Sequence, residues 1–298
     1  MNTAASKKIH IEDVEKYYGD KRVLDNIDLS VSSGELCALV GPSGCGKSTL
    51  LRLILGQEQP SCGHIFIEGQ QVGFPDPSRG IVFQRYSLFP HLTVLDNVLL
   101  GKRLSAGRWW LPWEKNKVWQ EEAMHYLQRV RLSEAMNKYP HELSGGMQQR
   151  VAIAQALIMK PPALLMDEPF GALDPDTRED LQLFLLELWE TEKLTIFFVT
   201  HDLEEACFLG SRLLILSQYY TDDRGEDQQV NRGGRIVADY QLERLGNSTE
   251  VKHNPRFKTF IESVRDEGFD PKIRQHVRDF NLHHPDSFQT LTPYENRV

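Results

Sequence analysis

The sequence predicts an α/β fold built around a largely parallel sheet, and three observations predict it. Short apolar runs of strand length recur along the chain, separated by stretches of helical periodicity. Four of these runs stop abruptly at a polar residue. The first empties into Gly41-Pro42-Ser43-Gly44-Cys45-Gly46-Lys47-Ser48, which answers in full to the spacing G-x-x-x-x-G-K-[ST].

Residues 8–33 and 62–72 alternate in the β manner, with turns at Gly19-Asp20 and Ser32-Ser33-Gly34. The run Leu36 to Val40 leads into the glycine-rich loop. Thr49 to Leu55 then reads as an apolar helix closed by Gly56. Ile81-Val82-Phe83 ends at Gln84, and residues 92–158 are mainly helical. Ala163 to Met166 ends at Asp167 and Glu168, and Ile196 to Val199 ends at Thr200 and His201. In open α/β sheets, ligands bind beyond the carboxyl ends of the strands, so four polar groups at four such ends form one candidate site. A fifth run, Leu213 to Leu216, carries no chemistry of its own. Tyr219 to Gly234, rich in charge and glycine, reads as a solvated hairpin or loop. From about residue 246 the chain turns charged and weakly periodic, and His283-His284 reads as a solvent-facing pair rather than a metal site.

Composition narrows the function. The chain has 298 residues, 40% of them apolar, enough for one large domain with an appendage. A net charge of −8 argues against a nucleic-acid partner, which calls for a basic surface. No run approaches the ~18 apolar residues of a membrane span. Met1 to His10 carries two lysines without an apolar core behind them, so no secretory signal is expected. Cys37, Cys45, Cys62 and Cys207 follow no paired or zinc-like spacing, which suits free thiols in the cytoplasm.

The residue types in the loop suit phosphate. Glycines let backbone N–H groups curl around phosphate oxygens, Lys47 supplies positive charge to the β and γ groups, and Ser48 offers a hydroxyl to Mg²⁺. The following helix, beginning near Thr49, points its N-terminus at the anion. Asp167, at a strand end, suits the carboxylate that helps hold Mg²⁺, and Glu168 beside it is the candidate for polarising the attacking water.

Leu143-Ser144-Gly145-Gly146-Met147-Gln148-Gln149-Arg150 resembles the signature sequence of the ABC ATPases. Met166-Asp167-Glu168-Pro169, Gly171-Ala172-Leu173-Asp174 and His201 resemble that family's later motifs in order and spacing. The resemblance runs from about Ile9 to Leu216. It implies a P-loop NTPase with a RecA-like core, a β-subdomain and a helical signature subdomain (about 86–158) within residues 8–245, followed by a short C-terminal extension, 246–298.

The resemblance also implies roles. Tyr18 stacks on the adenine of ATP, with Tyr17 adjacent as the other reading. Gln84 touches Mg²⁺ and the water and senses a membrane partner. Glu168 is the general base, His201 grips the γ-phosphate, and Asp174 lies at a subunit interface. Ser144-Gly145-Gly146 opens a helix whose face is Val151, Ala154, Leu157 and Ile158, and completes the nucleotide site of a second copy. The implied partners are separate transmembrane permease subunits, that second copy and, for an importer, an external solute-binding protein, with the chain held at the cytoplasmic face of the membrane. Met147 stands where many members have glutamine, and Gln155 where arginine is frequent. The methionine form resembles importer ATPases of the nitrate, sulfonate and taurine type. Two other classes compete: a soluble ABC ATPase acting on nucleic acid or ribosomes, and a nucleotide-binding regulator without turnover. One cassette, no sustained heptads and negative charge disfavour the first; intact Lys47, Glu168 and His201 disfavour the second.

The stretch Arg85 to Trp113, with Tyr86, Leu88, Phe89, Leu92 and Val94, is the expected docking region for the membrane partner. Trp109, Trp110 and Trp113 are either part of that surface or packing within an insert.

Overall fold

The computed structural model describes residues 7–76, 79–84, 88–107, 117–225, 232–242 and 254–290. The chain divides into two compact units, one of residues 1–75 with 194–298 and one of residues 76–193.

In the first unit, β1 (Lys7–Tyr18) and β2 (Lys21–Ser32) form an antiparallel hairpin, with Tyr18 opposite Lys21. Gly19 turns it with φ +59°, a left-handed conformation that a β-carbon disfavours. β4 (Cys62–Ile67) and β5 (Gln70–Gln71) extend this sheet in the order β2-β1-β4-β5.

The second sheet of this unit centres on β3 (Leu36–Val40), parallel to β8 (Ile196–Val199) on one side and β9 (Arg212–Ser217) on the other. β11 (Arg235–Gln241) joins β9 antiparallel, and β13 (Asn281–Leu282) joins β11 parallel. Both faces of β3 and β8 are covered, which is why these strands read as unbroken apolar runs. The covering elements include α1 (Lys47–Leu55), α6 (Leu203–Leu209) and α7 (Pro255–Gly268). Leu50, Leu53 and Ile54 of α1 are wholly buried, each contributing about 1.5–3 kcal/mol relative to exposure.

In the second unit, β6 (Ile81–Phe83) pairs in parallel with β7 (Leu164–Asp167). Around them lie α2 (Val94–Ser105), α3 (Lys117–Arg129), α4 (Gly145–Leu157) and α5 (Pro175–Glu192). The expected stripe of Val151, Ala154, Leu157 and Ile158 is buried, but so are Ala152, Ile153 and Ala156. α4 is enclosed by α2, α3, α5 and β6, so a one-sided periodicity could not describe it. Among the described residues no helix is long and apolar enough to cross a membrane.

Two readings change. The 219–234 stretch is not a solvated loop where it is described. Tyr220 in β10 (Tyr220–Thr221) is fully buried and donates to Asp25 Oδ2 at 2.6 Å. Asp222 accepts from Arg224 and Arg232, while Arg224 also pairs with Asp25. These charges neutralise one another within the fold rather than facing water; residues 226–231 lie outside the described ones. β10 pairs with β12 (Gln275–His276), so the late segment returns to the first unit.

The second change is His284, whose side chain is only 8% exposed and faces Glu35. His283 is exposed as expected. The 283–290 segment lies along β1 and β2. His10 stacks on Phe288 at 5.3 Å, Asn26 Nδ2 donates to Thr290 O at 2.5 Å, and Ser32 Oγ donates to Asp286 Oδ2 at 2.6 Å.

Candidate functional site

In the first unit the glycine-rich loop leaves the carboxyl end of β3 and enters α1. Gly44 and Gly46 adopt φ +82° and +108°. A β-carbon on Gly41 would overlap the Leu216 carbonyl oxygen and stand 2.9 Å from Cys45 Sγ. The glycines at these positions therefore serve conformation and close approach respectively. Gly46 caps α1 without a side-chain hydrogen bond, and the first turn carries no acidic residue. The leading N–H groups of a helix have no acceptor within it, so those of Lys47, Ser48 and Thr49 head a site for an anion.

Lys47 is 8% exposed. Its Nζ donates to Gly41 O at 2.6 Å and Pro42 O at 3.1 Å and lies 4.0 Å from Cys45 Sγ. No carboxylate among the described residues pairs with it. Carbonyl dipoles hold the ammonium in the loop without neutralising it, and a buried cation with no counter-charge favours an anionic ligand. Burial pushes the Cys45 thiol up, with the Lys47 charge opposing, so Cys45 packs as a thiol. Ser43 and Ser48 are exposed at the rim.

His201 stands at the same edge of this sheet, because β3 and β8 pair in register with Leu39 opposite Val199. Its neighbours fix it. Thr200 N donates to Leu39 O at 3.1 Å, Thr200 Oγ1 donates to Glu205 Oε2 at 2.5 Å, and Asp202 caps α6 through the N–H groups of Glu204 and Glu205. The buried Thr200–Glu205 bond beside His201 escaped sequence reading. The available signal was an acidic pair one turn into a helix headed by Asp202.

Tyr18 ends β1 with 44% of its surface exposed; its hydroxyl donates to Glu58, and Lys16 Nζ lies 5.1 Å from the ring centroid. The Tyr17 hydroxyl donates to Glu15 at 2.7 Å, and Arg22 lies 5.0 Å over its ring. Of the two rings, Tyr18 is the more open to a flat ligand.

In the second unit, the β6–β7 register puts Phe83 opposite Asp167, so Gln84 and Glu168 follow at one sheet edge. Glu168 takes φ +45°, an uncommon conformation for a residue with a side chain and one concentrated at functional sites. Gly171 N donates to Glu168 O at 3.1 Å, closing a turn anchored by buried Phe170. A β-carbon on Gly171 would stand 2.8 Å from Gln84 Nε2, so this glycine makes room for Gln84. Asp174 caps α5, accepting from Thr177 N at 3.1 Å, and that bond holds its carboxyl below the ordinary range.

Ser144 caps α4, its Oγ accepting from Met147 N at 3.4 Å. Gly145 and Gly146 are the first helical residues and have no positive φ. Their N–H groups therefore form a plain helix N-terminus, as the opening of a helix at Ser144-Gly145-Gly146 implies. Gly146 has a packing reason as well, since a β-carbon there would stand 2.5 Å from Thr177 Cγ2. Tyr86, Trp109, Trp110 and Trp113 lie outside the described residues.

The family described as ABC transporter matches residues 24–171. The sulfate/thiosulfate import ATP-binding protein CysA of Pectobacterium atrosepticum is 38% identical over 287 residues, covering 95% of this chain and 82% of that protein. The chain is an ABC transporter ATP-binding subunit. As a member of this family the ABC subunit is an ATPase with a P-loop α/β fold. The nitrate import ATP-binding protein NrtD of Synechococcus elongatus is 37% identical, covering 91% of this chain and 93% of that one. Among solved structures, cbiO1 of Clostridium perfringens, part of the ABC transporter complex cbiONQ, aligns with a TM-score of 0.66 and 27% identity, covering 87% of this chain and 95% of that chain. The dimeric structure of MJ0796, a bacterial ABC transporter cassette, aligns with a TM-score of 0.61 and 31% identity, covering 79% and 99%. A post-hydrolysis dimer of that cassette holds ADP and phosphate, at a TM-score of 0.60 and 30% identity over 79% of this chain and 99% of that chain.

Proposed function

We propose that this ABC subunit drives the import of a small oxyanion or other nitrogen- or sulfur-bearing solute, by hydrolysing ATP in a dimer docked on separate permease subunits. The observation that carries ATP binding is Lys47, a buried ammonium with no carboxylate partner among the described residues, at the head of a helix without a side-chain cap. A polyphosphate supplies the missing negative charge. The solute class and the direction rest on relatives named for sulfate, aliphatic sulfonate and nitrate import.

The roles follow from chemistry. Lys47 and the loop N–H groups hold the β- and γ-phosphates, and Tyr18 offers a face to the adenine. Ser48, Gln84 and Asp167 are hard oxygen donors, as Mg²⁺ requires, and a bound Mg²⁺ would neutralise charge on the phosphates. Glu168 takes the proton of the attacking water. His201, fixed by the Thr200–Glu205 bond, donates a hydrogen bond to the γ-phosphate. The N-terminus of α4 and Asp174 face the second copy. Its closure adds dipoles at the leaving phosphate, where positioning and electrostatics do most of the catalysis.

Phe89, 45% exposed while Val94 nearby is fully buried, marks the permease contact. An external solute-binding protein would complete the importer. The chain would then sit at the cytoplasmic membrane face through its partners.

Glu168→Gln tests the mechanism. It removes only the base, so ATP binding should persist while turnover falls about 10²- to 10⁴-fold. Hydrolysis within threefold of wild type, at unchanged ATP affinity, would move the base elsewhere.

A further inference from the structure

We propose that Glu35, His284 and Asp286 bind one divalent transition-metal ion of the zinc class, which pins the 283–290 segment to the turn between β2 and β3. Their ligand atoms all lie within 4.8 Å of one another, the one such group among the described residues. His284 Nε2 stands 3.6 Å from Glu35 Oε1, beyond hydrogen-bond reach. Two ligands on a tetrahedral zinc, each ~2.1 Å from the metal, are roughly 3.4 Å apart, so this pair needs almost no movement. Asp286 has to close in further.

Both carboxylates are already oriented from behind, and by one residue. Ser32 N donates to Glu35 Oε2 at 3.1 Å, and Ser32 Oγ donates to Asp286 Oδ2 at 2.6 Å. Arg212 also donates to Glu35 Oε2, at 3.1 Å. The other oxygen of each carboxylate is left for the centre, which is how outer partners orient metal ligands. Charge points the same way. Glu35 and Asp239 share a single guanidinium, Arg212, whose two strongest bonds go to Asp239 at 2.7 and 2.8 Å, and the Asp286 carboxylate is added beside Glu35. That leaves an excess of negative charge beside an imidazole only 8% exposed.

The site is separate from the nucleotide chemistry. Glu35 precedes β3 and the phosphate loop follows it, so the two lie at opposite ends of the strand. Glu35 lies about 250 residues before His284 and Asp286 in sequence, so a bound ion would act as a staple for the late segment.

Metal binding also predicts a tautomer change. Asp286 N–H donates to His284 Nδ1 at 3.2 Å, which puts the ring proton on Nε2. Coordination through Nε2 moves that proton to Nδ1 and releases the Asp286 N–H.

The test uses the full chain, stripped with chelator and free of nucleotide and magnesium, titrated with zinc by calorimetry. One zinc per chain is expected at the tightest site, with a rise in melting temperature. Ser32→Ala should weaken it about 10- to 100-fold, and His284→Gln should abolish it. In [15N]histidine-labelled protein, one imidazole should change from the Nε2–H to the Nδ1–H form. Asp286→Asn serves as the second variant if His284→Gln does not fold, as judged by melting without zinc. No stoichiometric binding, or undiminished affinity in a folded His284→Gln or Asp286→Asn, overturns the proposal. So does a zinc titration that leaves every histidine tautomer unchanged.

Discussion

Two glycines of one loop should fail in different ways when each is changed to alanine. At Gly44 an added β-carbon meets nothing within 4 Å, but φ is +82°. The cost is conformational, roughly 1–2 kcal/mol for an L-residue held left-handed. An exposed loop relieves that strain by leaving the phosphate-cradling conformation. Gly44→Ala should therefore weaken ATP binding about 5- to 30-fold while barely moving the melting temperature. Gly44→Asn should recover part of the loss, since asparagine tolerates this region. At Gly41 the new atom runs into the Leu216 carbonyl of β9 and stands 2.9 Å from Cys45 Sγ. Leu216 is fully buried and β9 is paired on both sides, so neither neighbour can swing away. Overpacking of this kind costs about 1–3 kcal/mol. For a chain of this size that corresponds to a fall of roughly 2–10 °C, with ATP binding lost as well. Fluorescent-nucleotide titrations and thermal melts on the three variants decide the matter. The reasoning fails if Gly41→Ala melts and binds like wild type, or if Gly44→Ala loses more thermal stability than Gly41→Ala.

Other outcomes follow from single contacts. Asp239→Asn strips Arg212, wholly buried, of its bidentate carboxylate, and should cost about 3–5 kcal/mol in urea unfolding; a loss under ~1 kcal/mol would contradict the burial argument. Burial alone would raise the Asp222 pKa, but bonds from Arg224 and Arg232 overcome it and hold the carboxyl at about 2 against an ordinary 3.8. The folded state thus binds this proton more weakly than the unfolded. The resulting stabilisation, about 2 kcal/mol, is present above pH ~4 and is lost as pH falls towards 2. Asp222→Asn should lose its stability deficit relative to wild type over that window, and a deficit independent of pH would exclude the assignment. Phe89→Asp should leave folding and ATP binding intact while abolishing association with permease-containing membranes. A lowered melting temperature with association preserved would make Phe89 a packing residue instead.

Much of this protein was determined by residues close together in sequence. The loop from Gly41 to Ser48, the Asp167-Glu168 strand end and the Ser144-Gly145-Gly146 helix start are each patterns of neighbouring residues. Local spacing and residue type therefore suffice to expose them. The alternation of β1 and the apolar runs of β3 and β8 were readable for the same reason, since burial on one face or two leaves a local pattern, whereas β2 alternates in sequence although Leu24 to Ser32 are all buried. Tertiary structure decided whatever depends on distant partners. A lysine in the sequence does not disclose that its ammonium is buried among carbonyls with no carboxylate partner among the described residues, nor does Glu168 disclose a left-handed backbone set by the turn to Gly171. Neighbouring Tyr17 and Tyr18 are set apart by tertiary partners, Glu15 and Arg22 for the first and Glu58 and Lys16 for the second. The charges from Asp222 to Arg232 looked solvated because Asp25, their neutralising partner, lies some 200 residues earlier. His284 looked idle because Glu35 reaches it only once β3, β9 and β11 have paired. Long-range burial and charge compensation are properties of contacts, and sequence spacing carries no record of which distant contacts form.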